Sequence, residues 1–178
     1  MKTHKGIRPQ DIVVLLKIFS LGEEEWLNKD LSKQLFISQS EISESLNRSV
    51  YAGLLGMDKK TVQKSALFGL LVYGLKYIFP TQAGTLAKGI PTAASAPILR
   101  DDFPNENSLV WPDPKMETRG LLVEPLYPKV IEAVKLDPML YDLLALADTF
   151  RVGNDKEVAR AKVLLKNIFE QGDDYISC

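Results

Sequence analysis

Thiol and imidazole groups are nearly absent from this chain, which has one cysteine, Cys178, and one histidine, His4. A single cysteine excludes an intramolecular disulfide and fits a reducing cytoplasm. With one of each, at opposite ends of the chain, a His/Cys zinc site cannot be built within one chain, and His4 at the N-terminus is poorly placed for a Ser-His-Asp triad. A glycine loop that would cradle phosphate is also missing. Gly69 and Gly74 lie in an apolar helical stretch and read as packing contacts. Asp113, Glu117 and Glu124 read as an acidic loop rather than a catalytic carboxylate pair. The expectation is a protein that is not an enzyme and has no metal or cofactor. Long hydrophobic runs are lacking too. The most apolar stretch, Ala66 to Phe79, is interrupted by Lys76 and closed by Pro80, short of the roughly 20 residues that span a bilayer. The N-terminus carries no apolar signal-peptide core. A soluble, cytoplasmic protein with no membrane partner is therefore expected.

What is present is an ordinary globular mixture, 46% hydrophobic and 25% charged, enough for a buried core. The net charge of −1 says little, but its distribution is uneven. Residues 59–100 contain Lys59, Lys60, Lys64, Lys76, Lys88 and Arg100 and no acid. Such a stretch attracts a polyanion. Residues 101–128 reverse the balance, with six acids against two bases.

Periodicity and capping residues divide the chain. Pro9 is placed for a first helical turn, Ile12, Leu15, Leu16 and Phe19 follow at helical spacing, and Gly22 closes the helix. Asn28 caps a second helix through Leu35, with Leu31 and Leu35 on its inner face. After Phe36-Ile37, Ser38 and Glu41 form a capping box that opens a third helix, with Ile42, Leu46 and Val50 inward and Gly53 at its end. Met57 to Val62 reads as a charged turn between two weak strands. Gln63 to Phe79 predicts a long helix, apolar on nearly all sides and hence a central core helix or a dimer interface. Residues 80–128 hold eight of the ten prolines and no helical period, and read as an extended arm or linker. Pro138 and Asn154 each open a helix, together predicting a C-terminal helical hairpin. The expected fold is mainly α: a winged helix-turn-helix with a small β wing, a long core helix, a Pro-rich irregular segment and the hairpin. The corresponding blocks are 1–79, 80–128 and 129–178.

Three helices with a short turn before the third, followed by a charged hairpin, are the winged helix-turn-helix pattern. Leu31, Leu35, Ile42 and Leu46 meet inside so that two short helices cross steeply. The run LNKDLSKQLFISQSEISESLNRSVYAGLL, residues 27–55, resembles the bacterial winged-helix regulators of the MarR and ArsR kind. Leu31, Ser32, Leu35, Ile37, Ser38, Ile42, Ser43, Leu46 and Ala52-Gly53-Leu54-Leu55 carry the likeness, within a region of about residues 9–62. Phe36 departs from it, standing where those families carry glycine. A phenylalanine is strained at positive φ, which predicts a different turn. The helix at 38–49 is also net acidic, with Glu41 and Glu44 against Arg48.

The resemblance implies a transcription regulator that binds double-stranded DNA, as a homodimer, with the 38–52 helix in the major groove. Helical phasing puts Ser40, Glu44, Asn47, Arg48 and Tyr51 outward, flanked by Gln39 and Ser43. The candidate DNA contacts are Ser38, Gln39, Ser40, Ser43, Asn47 and Arg48, with Lys59 and Lys60 on backbone phosphate. Gln39 and Asn47 suit adenine, Arg48 guanine or phosphate, and Glu44 the cytosine amino group. Two other readings stand beside this one. One is an interaction module that holds a protein partner through residues 80–128, as antitoxin-like proteins hold a toxin. The other is a small-molecule-responsive regulator with a pocket of Tyr73, Tyr77, Trp111 and Tyr127.

Overall fold

The computed structural model describes residues 6–104 and 108–174, with side chains through 171, so His4 and Cys178 lie outside the described residues. The chain is mainly helical with one small sheet. It divides into two compact units, one of residues 1–67 and 126–140, the other of residues 68–125 and 141–178. Each unit takes chain from both sides of residue 125.

The first unit begins with α1 (Pro9–Leu21), α2 (Asn28–Leu35) and α3 (Gln39–Tyr51). Helix α1 is closed by Gly22 at φ 56, whose N–H reaches the Phe19 carbonyl. Helix α2 starts at Asn28 with Leu27 in the cap position, one residue earlier than an Asn28 cap requires. Its first turn is held instead by the Asp30 carboxylate, which accepts from the Leu27 N–H at 2.9 Å. Between α2 and α3, Phe36 does take the left-handed conformation, φ 57 and ψ 37. The turn thus keeps the left-handed residue that glycine would supply, with a phenylalanine in it. The Phe36 carbonyl accepts from the Tyr127 hydroxyl at 2.9 Å.

Ser38 caps α3, accepting from the Glu41 N–H at 3.2 Å. The return half of the expected box is not made, because the Glu41 carboxylate goes to Arg48, Arg8 and Gln10. After α3, Leu55 and Val62 form a single antiparallel bridge in place of two strands. The Gly56 N–H to Thr61 carbonyl bond, 2.8 Å, and the Gln63 N–H to Leu54 carbonyl bond, 2.9 Å, complete the hairpin.

Residues Asp11 to Ile18 of α1 are buried without interruption, so its charged members need internal partners. Asp11 takes Arg48, and Lys17 reaches Asp137 at 2.7 Å. Asp137 comes from the returning segment 126–140, which also contributes α7 (Val130–Val134), packed on α2.

From 64 to 78 the chain is helical as expected, but in three parts: α4 (Lys64–Gly69), a π-helical turn at Leu70–Gly74, and α5 (Leu75–Ile78). It is not buried all round. Leu67, Leu71 and Leu75 are buried at i, i+4 and i+8, while Tyr73 and Tyr77 are 62% and 73% exposed.

In the second unit the Pro-rich stretch forms a core instead of an irregular arm. It contains β1 (Leu86–Pro91), a 3-10 turn at Ala93–Ser95, α6 (Pro97–Arg100), β2 (Leu109–Pro112) and β3 (Arg119–Leu122). Strand β1 pairs antiparallel with both others, at Ile90–Trp111 and Ala87–Gly120, and β2 runs parallel to β3. Glycine is required where these strands meet: a Cβ on Gly89 would lie 1.8 Å from the Trp111 carbonyl oxygen. Helices α8 (Pro138–Val152) and α9 (Asp155–Asp174) are separated by Gly153-Asn154. The Asn154 side chain accepts from the N–H of Lys156 and Glu157, and Glu157 returns a bond to the Asn154 N–H. The centre of this unit is polar: buried Asp148 on α8 accepts from Trp111 Nε1 (2.6 Å), Thr92 Oγ1 (2.9 Å) and Arg151 (2.8 Å). Burial pushes the Asp148 carboxyl up in pKa against the pull of these three donors.

Candidate nucleic-acid interface

The site is built from α3, the start of α2 and the hairpin 55–62, all in the first unit. Helix α3 buries Ile42, Ser45, Leu46, Arg48 and Ser49. The inward stripe is thus rotated from the expected Ile42, Leu46 and Val50, and Val50 is only half-buried. Helix α3 packs against both α1 and α2, and Ser45 and Ser49 lie in its buried stripe. Both hydroxyls are buried without a hydrogen-bond partner.

Arg48 is the main departure. Expected on the outer face, it is 7% exposed and turned toward α1. Its Nε and Nη2 grip the two Asp11 oxygens at 2.8 and 2.7 Å, and Nη2 also meets Glu41 at 2.6 Å. The Asp11 hydrogen bonds raise its pKa above the ordinary arginine value, against the burial that opposes charge. The same cluster neutralises Glu41, which also meets Arg8 at 3.3 Å. One of the two acids on α3 is therefore spent internally.

The outer face that remains is polar. Ser38, Gln39, Ser40, Glu44 and Asn47 are exposed and Ser43 is half-buried. Gln39, Ser43 and Asn47 follow one another at i, i+4 and i+8, a continuous ridge on a helix. Beside it lies an open groove of about 510 Å³. Buried Trp26 and Leu46 line it together with Gln39 and Ser43 of α3, Asn28 and Lys29 of the α2 start, and Asp58, Lys59 and Lys60 of the hairpin.

The two hairpin lysines differ. Lys59 is exposed at the tip with φ 58. Lys60 is turned back: its ammonium donates to the Trp26 carbonyl at 2.6 Å and sits 4.2 Å above the indole. Asp58 shapes the tip, accepting from the Thr61 hydroxyl and from the N–H of Lys60 and Thr61. The Thr61 bond first, then the two backbone bonds, bring its carboxyl down to about 2. Sequence reasoning missed Trp26, Asn28 and Lys29 as groove residues. The charged turn Met57 to Val62 signalled the tip, and the spacing of Asp58 and Thr61 suits the side-chain-closed turn found there.

The four aromatic residues considered for a ligand pocket divide between the two units. Trp111 is sealed in the second unit with its N–H on Asp148, Tyr73 and Tyr77 are on that unit's surface, and Tyr127 belongs to the first unit. Among the described residues no helix is long and apolar enough to cross a membrane. Comparison of the chain with protein-family models, curated proteins and solved structures found no match.

Proposed function

We propose that the first unit is a winged helix-turn-helix that binds double-stranded DNA, with α3 in the major groove and the hairpin 55–62 as the wing on the sugar-phosphate backbone. The observation that carries this reading is the pairing of surfaces: Gln39 and Ser43, from a ridge of neutral hydrogen-bonding side chains on α3, line one groove with Lys29, Lys59 and the single carboxylate Asp58. A helix presenting such groups fits the width of the major groove, and lysines at its margin fit the phosphates. The charge of α3 does not help this reading: Glu41 and Arg48 are held in one cluster with Asp11 and Arg8, and exposed Glu44 leaves the outer face with one negative charge. The likeness of residues 27–55 to MarR and ArsR regulators points the same way. On this reading the protein is a transcription regulator without a chemical step, and two copies bind a site of two half-sites.

The test is retardation of duplex DNA by the full chain across a salt series. Affinity is expected to fall steeply with salt, and Lys59→Ala to weaken every duplex alike and reduce the slope of log K against log salt by about 1. Absence of any retardation at low salt sinks the proposal.

A second reading, a partner-binding module, draws on the second unit. Tyr73 and Tyr77 stand exposed one turn apart, with the ammonium of Lys162 on Tyr73 and that of Lys76 over Tyr77. A stoichiometric protein partner, lost on Tyr73→Ala/Tyr77→Ala but retained on deletion of the α3 contacts, favours it.

A further inference from the structure

We infer that α3 draws its specificity from A·T base pairs, holding adenine edges with Gln39 and Asn47, and that Arg48 reads no guanine. This deepens the DNA-binding reading and rests on it. The juxtaposition behind it is an amide ridge facing out and a guanidinium locked facing in, on the same helix. Arginine and lysine are the commonest readers of guanine, through its O6 and N7, whereas asparagine and glutamine pair bidentately with adenine N6 and N7. Arg48, the one cation on α3, has its Nε and Nη2 committed to Asp11 and Glu41. Turning it outward would leave Asp11, which has no exposure, buried without its cation. The exposed side chains of α3 that can make a bidentate base contact are then the amides Gln39 and Asn47.

Their spacing sets a second feature. Eight residues of helix advance about 12 Å, the rise of roughly three to four base pairs. Ser43, midway along the ridge, accepts or donates and discriminates little. Glu44 lies beside the ridge and is exposed. A carboxylate accepts only from an amino group, so the G·C pair that suits this face presents its cytosine.

The experiment is selection from a randomised duplex pool by the full-length protein, run in parallel with Gln39→Ala and Asn47→Ala. Both positions are solvent-exposed, so unfolding of the variants should match the parent. The expected half-site has adenine at two positions about three base pairs apart. Each variant should lose about tenfold discrimination at one of them and keep it at the other. An enriched site built on guanine, unchanged in both variants, overturns the inference. So does retention of duplex with no base enriched. If no duplex is retained at low salt, the DNA-binding reading itself fails, and this inference with it.

Discussion

The Arg48 guanidinium lies between Asp11 on α1 and Glu41 on its own helix, and this position decides what α3 can present. Helical phase alone leaves Arg48 at the edge of the outer stripe. A long side chain there can swing either way, and the buried carboxylate of Asp11 draws it in. Such a pair is weak testimony for stability as a whole, yet breaking one side of it is severe because the other charge stays buried. Arg48→Met should lower unfolding free energy by about 3–5 kcal/mol, read from urea unfolding at neutral pH. Adding Asp11→Asn should recover a substantial part of it, since an amide tolerates the desolvated site and still accepts the Arg8 N–H bond. Equal destabilisation of the single and double variants would mean that Asp11 is not the residue Arg48 serves. Phe36 makes a related point. Its left-handed backbone opposes its own preference, and the surrounding turn holds it there.

Among the elements, the returning segment 126–140 matters most to the first unit. Lys17 and Ser20 of α1 both donate to the Asp137 carboxylate, at 2.7 and 2.6 Å, and the Leu140 N–H adds a third bond at 3.0 Å. Burial pushes this carboxyl up, but the three donors outweigh it and the net shift is downward. A carboxyl whose folded pKa lies below its unfolded value lends stability that is complete above the unfolded value, near 3.8, and is lost as pH falls through the folded value. Unfolding free energy should therefore drop as pH is lowered below 3.8, and Asp137→Asn should remove that part of the drop. A variant with the full acid sensitivity of the parent would refute the assignment. The strands of the second unit illustrate the same dependence on distant chain. Gly89 and Gly120 look like loop glycines in a proline-rich run, but each stands where another backbone approaches too closely for a Cβ.

For the whole molecule, the two units each combine early and late stretches of chain. A fragment ending at residue 79 contains α1, α2, α3 and the hairpin but lacks Asp137, Tyr127 and α7. It would leave Lys17, 4% exposed in the full chain, without its carboxylate. Such a fragment should lose cooperative unfolding in urea, while the full chain keeps it. A fragment as stable as the parent would show that the 126–140 segment is dispensable to the first unit.

Much of this molecule was legible in the sequence because it is local. Pro9, Gly22, the Ser38 cap, the charged turn after Leu55 and the Asn154 cap each act within a few residues, and the structure places helix and hairpin boundaries near them. The outward Gln39, Ser40 and Asn47 follow from helical phase in the same way. Tertiary structure alone decided the rest. The Arg48–Asp11 contact spans 37 residues and the Lys17–Asp137 contact 120, separations at which no periodicity carries information. The three strands within 80–128 pair with one another across intervening loops, and their few residues leave no period to read. Sequence by itself determined that α3 exists, where it begins and which polar groups it carries. Only the tertiary structure decided how far it is rotated, because a buried carboxylate on another helix claims its arginine and leaves the amides facing out.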